Sequence, residues 1–428
     1  MGHIRRFLEV ILAYLARSVI RRQRPFIVGV TGSVGKTSSR EAIRVVLGVD
    51  RSVRAARKNY NNEIGLPMTI LGGRMPGRSL LRWVAVFFRG IGLMTARGLR
   101  YPEALVLEYG ADHPGDITYL LRIAKPDVSV ITAIGPTHTE FFSSTDRVAA
   151  EKRKLVTCLG RDGIAVLNRD DERIMAMAER TRARVVTFGF HEEADVRAIE
   201  YRTTIVDGRP TGLSFKIAAG GSVVPVRVPG CLGRAHAMAT LAAAATGVAL
   251  GMHLVEIANA LERYIPQPSR MRILDGIKNT VLIDDTYNSS PLAAVVALNA
   301  FADIPTSGRK IAILGDMLEL GALTEREHKQ LGVLAASTPV EYLICVGQAS
   351  HSTAKGARGA GIPEDRVLEF ARAEEAGRFV QDMLREGDIV LVKGSQSVRL
   401  EKVVIELMAD PLKKEQLVCR QDQEWQKR

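Results

Sequence analysis

Apolar residues recur every three or four positions near the start of the chain, at Ile4, Phe7, Leu8, Ile11, Leu12, Leu15 and Val19. Arg5, Arg6, Glu9, Arg17 and Arg21 occupy much of the remaining surface. That spacing predicts a basic amphipathic helix within residues 1–24. An internal Glu9 and Arg17 do not fit a secretory leader, and no stretch reaches the ~18 uninterrupted apolar residues of a spanning helix. Two readings stand: the helix packs on its own domain, or it lies in a membrane interface. A second segment of the same kind, SLLRWVAVFFRGIGLMTARG at 79–98, is then its packing partner or a second membrane contact.

From Pro25 the pattern changes. PFIVGV is a short apolar run that reads as a buried strand, and SSREAIRVVLG, with Ile43, Val46 and Leu47 on one face, reads as a helix. Strands also follow from ALVLEYG (104–110), VSVITAIG (128–135) and GIAVLN (163–168), each succeeded by polar or glycine-rich residues and then a helical stretch. Such alternation predicts a mostly parallel α/β sheet. Residues 196–230 alternate with period two and predict antiparallel hairpins attached to it, followed by an alanine-rich helix at 239–252. After YIPQPSR (264–270), a fresh α/β alternation runs through TVLIDDTYNSSP, KIAILGDMLELG, EYLICVGQ and DIVLVKGSQS. The expected organisation is a helix (1–24), an α/β phosphate-loop ATPase domain (25–266), a Rossmann-like domain (267–410) and a loosely held polar tail (411–428).

Composition narrows the classes. With 428 residues, 46% hydrophobic and 25% charged, the chain has room for two or three ordinary globular cores. Its four cysteines are scattered without a CxxC pair, which argues against a disulfide framework or zinc site and for a reducing, cytoplasmic setting. A formal charge of +12 calls for an anionic partner, yet only 5% of residues are aromatic and no basic-aromatic array offers a stacking platform, so nucleic acid is not expected.

The sharpest chemical signal lies between the first strand and its helix, in VGVTGSVGKTSSREAI (28–43). Backbone N–H groups over Gly32, Ser33, Val34, Gly35 and Lys36 can converge on phosphate oxygens at a helix N-terminus. Lys36 supplies a charge for the terminal phosphates, and Thr37 or Ser38 a hydroxyl for Mg²⁺. The standard phosphate-loop spacing would place a glycine where Val30 stands. Glu108 ends a predicted strand near this loop, where a carboxylate can hold a metal; Asp112 and His113 lie close by in sequence. His138 follows the next strand, in AIGPTHTEFF, and can serve a metal or phosphate. Lys152, in AAEKRKL, reads from spacing alone as part of a solvated helical face. In the second α/β region Asp284 and Asp285, Asp316 and Glu319, and Lys393 all sit at strand ends, where such sheets bind ligands.

Taken in order, TGSVGKTS, NYNNEIGLP (59–67), LEYGADHPGDI (107–117), ITAIGPTHTEFF (131–142), the EK of AAEKRKL, AVLNRDD, SRM (269–271), IDDTYNSSP, LGDMLELG with His328 beyond it, and VKGSQSVRLE resemble the Mur ligase family over about residues 26–405. Within it they are most similar to the branch that adds D-Ala-D-Ala to a UDP-muramoyl tripeptide. The family's loop is TGxxGKT/S, in which Val30 is no defect. The resemblance implies an ATP-dependent, ADP-forming ligase that converts a substrate carboxylate to an acyl phosphate and joins it to an amine. It implies Lys36 on the β/γ-phosphates, Thr37 and Glu108 on one Mg²⁺, His138 on a second, and a carbamylated Lys152 as a metal ligand. Arg270, Asp285 and Asn288 are implied on the nucleotide side, and Asn61, Asn62, Lys393, Ser395 and Arg399 on the substrate side. Acting as a monomer is expected, on a UDP-muramoyl peptide or related acidic acceptor and a short peptide or amino-acid amine.

Three departures qualify this. Family members carry an N-terminal domain that grips UDP, whereas about 25 residues precede the first strand here and the basic helix stands in its place. His236 and Ala239 align with family asparagines, the second near adenine, so adenine contacts must differ. Ser269 replaces the usual glycine before Arg270. Competing readings are a poly-γ-glutamate or folylpolyglutamate-type ligase, and a membrane-associated nucleotide-binding module without ligase chemistry.

Overall fold

The computed structural model describes residues 2–56, 60–73, 75–77, 79–95, 100–135, 139–142, 144–422 and 425. Among the described residues the first sheet has nine strands: β1 (Phe26–Thr31), β2 (Val53–Ala55), β3 (Ala104–Glu108), β4 (Val128–Ile131), β5 (Ile164–Asn168), β6 (Arg184–Gly189), β7 (Val196–Val206), β8 (Arg209–Ala219) and β9 (Ser222–Pro229). Their order is β2-β3-β1-β4-β5-β6-β7-β8-β9. Pairing is parallel from β2 to β7 and antiparallel through β7, β8 and β9, so the hairpins extend the parallel sheet at one edge.

Both faces of the parallel part are covered, which is why its strands read as unbroken apolar runs. Val28 and Val30 of β1 point to a core shared with the helix Arg234–Ala249, while Ile27 points to the opposite core. The first five helices are α1 (Gly2–Gln23), α2 (Lys36–Leu47), α3 (Gly65–Leu71), α4 (Leu80–Thr95) and α5 (Asp116–Ile123). Of these, α2 lies on the Val28 side and the rest on the Ile27 side. Helix α1 packs against α3, α4 and α5 and buries Leu12, Leu15, Ala16 and Val19. Full burial of side chains the size of Leu and Val contributes about 1.5–3 kcal/mol each. Contact is tight at Gly90, where an added Cβ would come 3.1 Å from Leu15 Cδ1. The helix-on-its-own-domain reading therefore describes the inner face of α1.

A second sheet, of six strands among the described residues, holds β10 (Arg272–Asp275), β11 (Val281–Asp285), β12 (Lys310–Gly315), β13 (Tyr342–Val346), β14 (Val367–Phe370) and β15 (Ile389–Lys393). Their order is β10-β11-β15-β12-β13-β14, antiparallel only at β10–β11. Helices again cover both faces, Pro291–Ala302 on one and Ala373–Met383 with Glu401–Leu407 on the other.

The tail corrects the expectation of a loosely held segment. Val418 is buried, and Cys419 N donates to Ser269 Oγ at 3.1 Å. The Arg420 side chain is also nearly enclosed, donating to Thr286 O at 2.9 Å and to Tyr287 O. The polar composition concealed that Leu417, Val418 and one guanidinium find matching partners in the second domain.

Candidate active site

Strand order creates the site. β1 sits between β3 and β4, so the chain leaves it to one side and later returns to the other, opening a crevice at the carboxyl ends of these strands. The loop after β1 is pinned across that crevice: Ser33 N donates to Ala133 O (2.7 Å), Thr132 Oγ1 to Val34 O (2.6 Å), and Ser33 Oγ bridges Gly135 N and O. Gly32 must lack a side chain, because a Cβ there would lie 2.0 Å from Thr132 Oγ1. Gly35, at φ 85°, turns the chain into α2, whose first residue is Lys36. Lys36 Nζ donates to Gly32 O at 2.7 Å and Ser33 O at 3.3 Å. Burial holds its ammonium below the ordinary lysine range, against the pull of nearby Glu108. Val30, where a generic phosphate loop would have glycine, is a fully buried β1 residue paired with Glu108.

Glu108 ends β3 with its carboxylate held from three sides. Arg40 Nη1 lies 3.0 Å away, Thr37 Oγ1 at 3.2 Å and Asn61 Nδ2 at 3.2 Å, and Arg40 and Glu108 are both buried. Arg40 was not anticipated. The signal was its position four residues after Lys36, one helical turn along α2 and on the same side.

Lys152 corrects the spacing-based reading of a solvated face: it is 2% exposed, in the helix Thr145–Thr157. Its neighbour Glu151 is buried too, accepting from Ile117 N at 3.0 Å. Burial, reinforced by the charge of Lys36, pushes the Lys152 amine down to about 7. It has no hydrogen bond among the described residues.

The facing wall comes from the second sheet. Asp284 and Asp285 separate into two roles, as alternation along β11 requires. Asp284 turns inward, accepts from Ser269 Oγ (2.7 Å) and Thr286 Oγ1 (2.7 Å), and is raised to about 6 by burial. Asp285 faces the cavity, pairs with Lys393 Nζ at 2.6 Å and accepts from Met271 N at 3.1 Å. Lys393 Nζ also donates to Asn288 O at 3.0 Å, so its charge fixes the loop carrying Asn288. Ser269 has φ 60°, a conformation that favours glycine, and its hydroxyl joins Asp284 to the tail at Cys419. Arg270 lies 4.0 Å over the Tyr287 ring, and Arg420 lies 5.3 Å from the same ring. Neither Tyr287 nor Arg420 was singled out by sequence pattern. His236 accepts from Tyr264 Oη through Nδ1 (3.0 Å) and donates from Nε2 to Arg270 O (2.7 Å), a neutral tautomer that its burial favours.

These two walls enclose a cavity of about 420 Å³. It is lined by Ser33, Val34, Gly35, Lys36, Thr37, Ser38, Asn61, Glu108, Asp112, Lys152, His236, Arg270, Asp285, Tyr287, Asn288, Glu319 and Lys393, among others. Other expected residues fall elsewhere. Asn62 lines an adjoining cavity with His113, and its Oδ1 accepts from Gly65 N at the start of α3. Ser395 is buried beneath the loop, donating to Ser289 O, and does not line the main cavity. Arg399, paired with Glu401, opens onto a separate depression that also includes Asp316. Ala239 is buried in the core of its helix. His138 lies outside the described residues.

Two family models match the chain: Mur ligase middle domain over residues 90–247, and Mur ligase, glutamate ligase domain over residues 269–396. The UDP-N-acetylmuramoyl-tripeptide–D-alanyl-D-alanine ligase of Mycobacterium tuberculosis is 32% identical over 402 residues, covering 90% of this chain and 73% of that one. The enzyme of the same name from Bacillus subtilis is 28% identical over 401 residues, covering 94% and 80%. Among solved structures, MurF from Acinetobacter baumannii superposes with a TM-score of 0.77 at 25% identity, covering 94% of this chain and 80% of that one. MurF ligase from Thermotoga maritima in complex with ADP gives 0.75 at 27% identity, covering 92% and 82%.

Proposed function

This chain belongs to the Mur ligase family of ATP-dependent ligases, and we propose that it joins the carboxylate of a UDP-muramoyl tripeptide, or a related acidic acceptor, to D-Ala-D-Ala. The substrate carboxylate attacks the γ-phosphorus of ATP, ADP departs, and an acyl phosphate forms. The amine then attacks the acyl carbon, and the tetrahedral adduct expels phosphate and a proton to leave the amide. Catalysis of this kind is mainly positioning and charge neutralisation.

The residues divide the work. Lys36 and the N-terminus of α2 meet the β/γ-phosphates, while Arg270, Asp285 and Asn288 form the nucleotide side of the facing wall. Asn61 stands on the acyl side. Thr37 and Glu108, with Lys152 carrying a carboxylate as its carbamate, would make an all-oxygen donor set suited to Mg²⁺, and His138 would serve a second ion, as the family resemblance implies. The fit rests on chemistry present in the cavity: a carboxylate, a hydroxyl and a buried amine depressed to about 7 line one wall. Bound Mg²⁺ supplies charge neutralisation for the transferring phosphoryl group. A neutral Lys152 amine adds to CO₂, forming an N–C bond and releasing a proton, and so exchanges a buried cation for an anion among cations.

The observation that carries this reading is the convergence of Lys36, Glu108 and Lys152 from the first sheet with Arg270 and Asp285 from the second around one cavity. Phosphate release from ATP and Mg²⁺ tests it. Release should require both the UDP-muramoyl tripeptide and D-Ala-D-Ala, with the joined product seen by mass spectrometry. Release driven by a glutamate acceptor instead would reassign the substrate, and release independent of any amine would remove the ligase reading.

A further inference from the structure

Charge is distributed very unevenly along this chain. Residues 1–24 and 64–102 together hold twelve arginines, no lysine and one acidic residue, Glu9, a surplus of eleven out of the formal +12. The remainder of the protein is nearly neutral. These two segments include α1 and α4, which pack on each other.

Both helices are amphipathic twice over. Inward, α1 buries Leu12, Leu15 and Val19, and α4 buries Val86, Gly90 and Leu93. Outward, α1 presents Phe7 (65% exposed), Val10 and Tyr14, and α4 presents Leu81 (82%), Val84, Phe88 (71%) and Ile91. The outward residues repeat at helical spacing, 7-10-14 and 81-84-88-91, so each helix carries an apolar stripe that is exposed among the described residues. Arg6, Arg21, Arg22, Arg82 and Arg89 are exposed on the same two helices. Contiguous apolar surface rimmed by one sign of charge marks an interaction site.

We infer that the α1–α4 face docks on an anionic phospholipid bilayer, with the apolar stripes entering the headgroup boundary and the arginines pairing with lipid phosphates. Charge selects this occupant. A second copy of the chain would bring its own arginines against these, whereas an anionic lipid surface neutralises them. Among the described residues no helix is long and apolar enough to cross a membrane, so the contact is interfacial. It lies beside the ligase cavity: Arg5 of α1, 4.0 Å from Glu63, lines an adjoining cavity of about 180 Å³ with Asn61 and Asp112, which line the main one as well.

Flotation of the full chain with phosphatidylcholine vesicles, with and without phosphatidylglycerol, tests the docking independently of any substrate. The protein should float with the anionic vesicles and stay behind with the neutral ones. Arg21→Gln with Arg22→Gln should weaken partition roughly thirtyfold, and Leu81→Glu with Phe88→Glu should abolish it. All four positions are exposed, so thermal unfolding should match that of the unsubstituted chain and certify the fold. Absence of flotation with phosphatidylglycerol overturns the inference, as does flotation indifferent to both double substitutions. A dimer seen by light scattering and dissolved by Phe88→Glu, without vesicle binding, would make the face a self-association surface instead.

Discussion

Arg40 Nη1 lies 3.0 Å from Glu108 Oε2, and both side chains are cut off from solvent at the floor of the cavity. Removing one partner of such a pair leaves an uncompensated buried charge, which costs about 3–5 kcal/mol. Arg40→Met should therefore lower the unfolding free energy from denaturant titration by an amount in that range, with a matching fall in the midpoint. The double variant Arg40→Met/Glu108→Gln should recover part of the stability but not the activity, since the proposed Mg²⁺ site also draws on Glu108. An unshifted midpoint in Arg40→Met would show that the pair contributes nothing net.

Lys152 should confer a dependence on CO₂ with a defined pH profile. With its amine depressed to about 7, deprotonation takes place between about pH 6 and 8; an ordinary lysine would be neutral in well under about 1% of molecules there. At fixed dissolved CO₂, carbamate formation should rise across that window, seen as a ¹³C carbonyl resonance from labelled CO₂. The sign for stability follows from the same shift. Protonated Lys152 is disfavoured in the folded state, so its cost is full below about pH 7 and is relieved as pH climbs toward 10.5. Lys152→Ala should lose on the order of 10²–10³ in turnover, with no rescue by bicarbonate. Full activity in that variant would dispose of the carbamate.

Much of this was legible in the sequence, and the unread part has a common cause. Apolar runs and glycine punctuation located β1, β3, β4, β11 and β15, because parallel strands buried on both faces leave no other pattern. TGSVGKTS marked the glycine loop between β1 and α2, and ordered motifs gave the family. What periodicity could not give was orientation across long sequence separations. Lys152 read as solvated because burial against β1, β4 and α5, with Lys36 and Glu108 nearby, comes from segments distant in sequence and leaves no local mark. Asp284 and Asp285 looked equivalent until β11 turned them to opposite sides. Arg420 sat in a polar tail whose partners, Thr286 and Tyr287, are over 130 residues distant.

Arg420 should act as a positioning residue through Tyr287, which lines the cavity. Its guanidinium holds Thr286 O and Tyr287 O, pairs with Glu401 at 3.4 Å and lies near the Tyr287 ring, which also has Arg270 over it at 4.0 Å. Arg420→Ala should loosen this stack and raise the KM for ATP roughly tenfold, as loss of one charge-assisted hydrogen bond implies, with a smaller change in kcat. Arg420→Lys should restore little, because an ammonium cannot reproduce the fork. Calorimetric titration with ADP separates this from a general stability defect: equal ADP affinity in the variant and the unsubstituted chain would deny the positioning role.

Gly32 offers the most direct check on the phosphate loop. An alanine Cβ would stand 2.0 Å from Thr132 Oγ1, closer than any real contact, and the Thr132 hydroxyl is itself committed to Val34 O at 2.6 Å. Gly32→Ala must therefore displace either the loop or the end of β4. Both carry backbone groups that the loop uses to hold its shape, including Ser33 N on Ala133 O. ADP binding should fall by at least about tenfold, a cost of ~1.4 kcal/mol that a single displaced hydrogen bond already reaches. Thr132→Ala alone should weaken binding less, since it removes one pin without introducing a clash. In the double variant Gly32→Ala/Thr132→Ala the nearest obstacle is gone, so affinity should recover toward that of Thr132→Ala. A double variant as impaired as Gly32→Ala would place the loss in the glycine's backbone conformation instead of in its approach to Thr132.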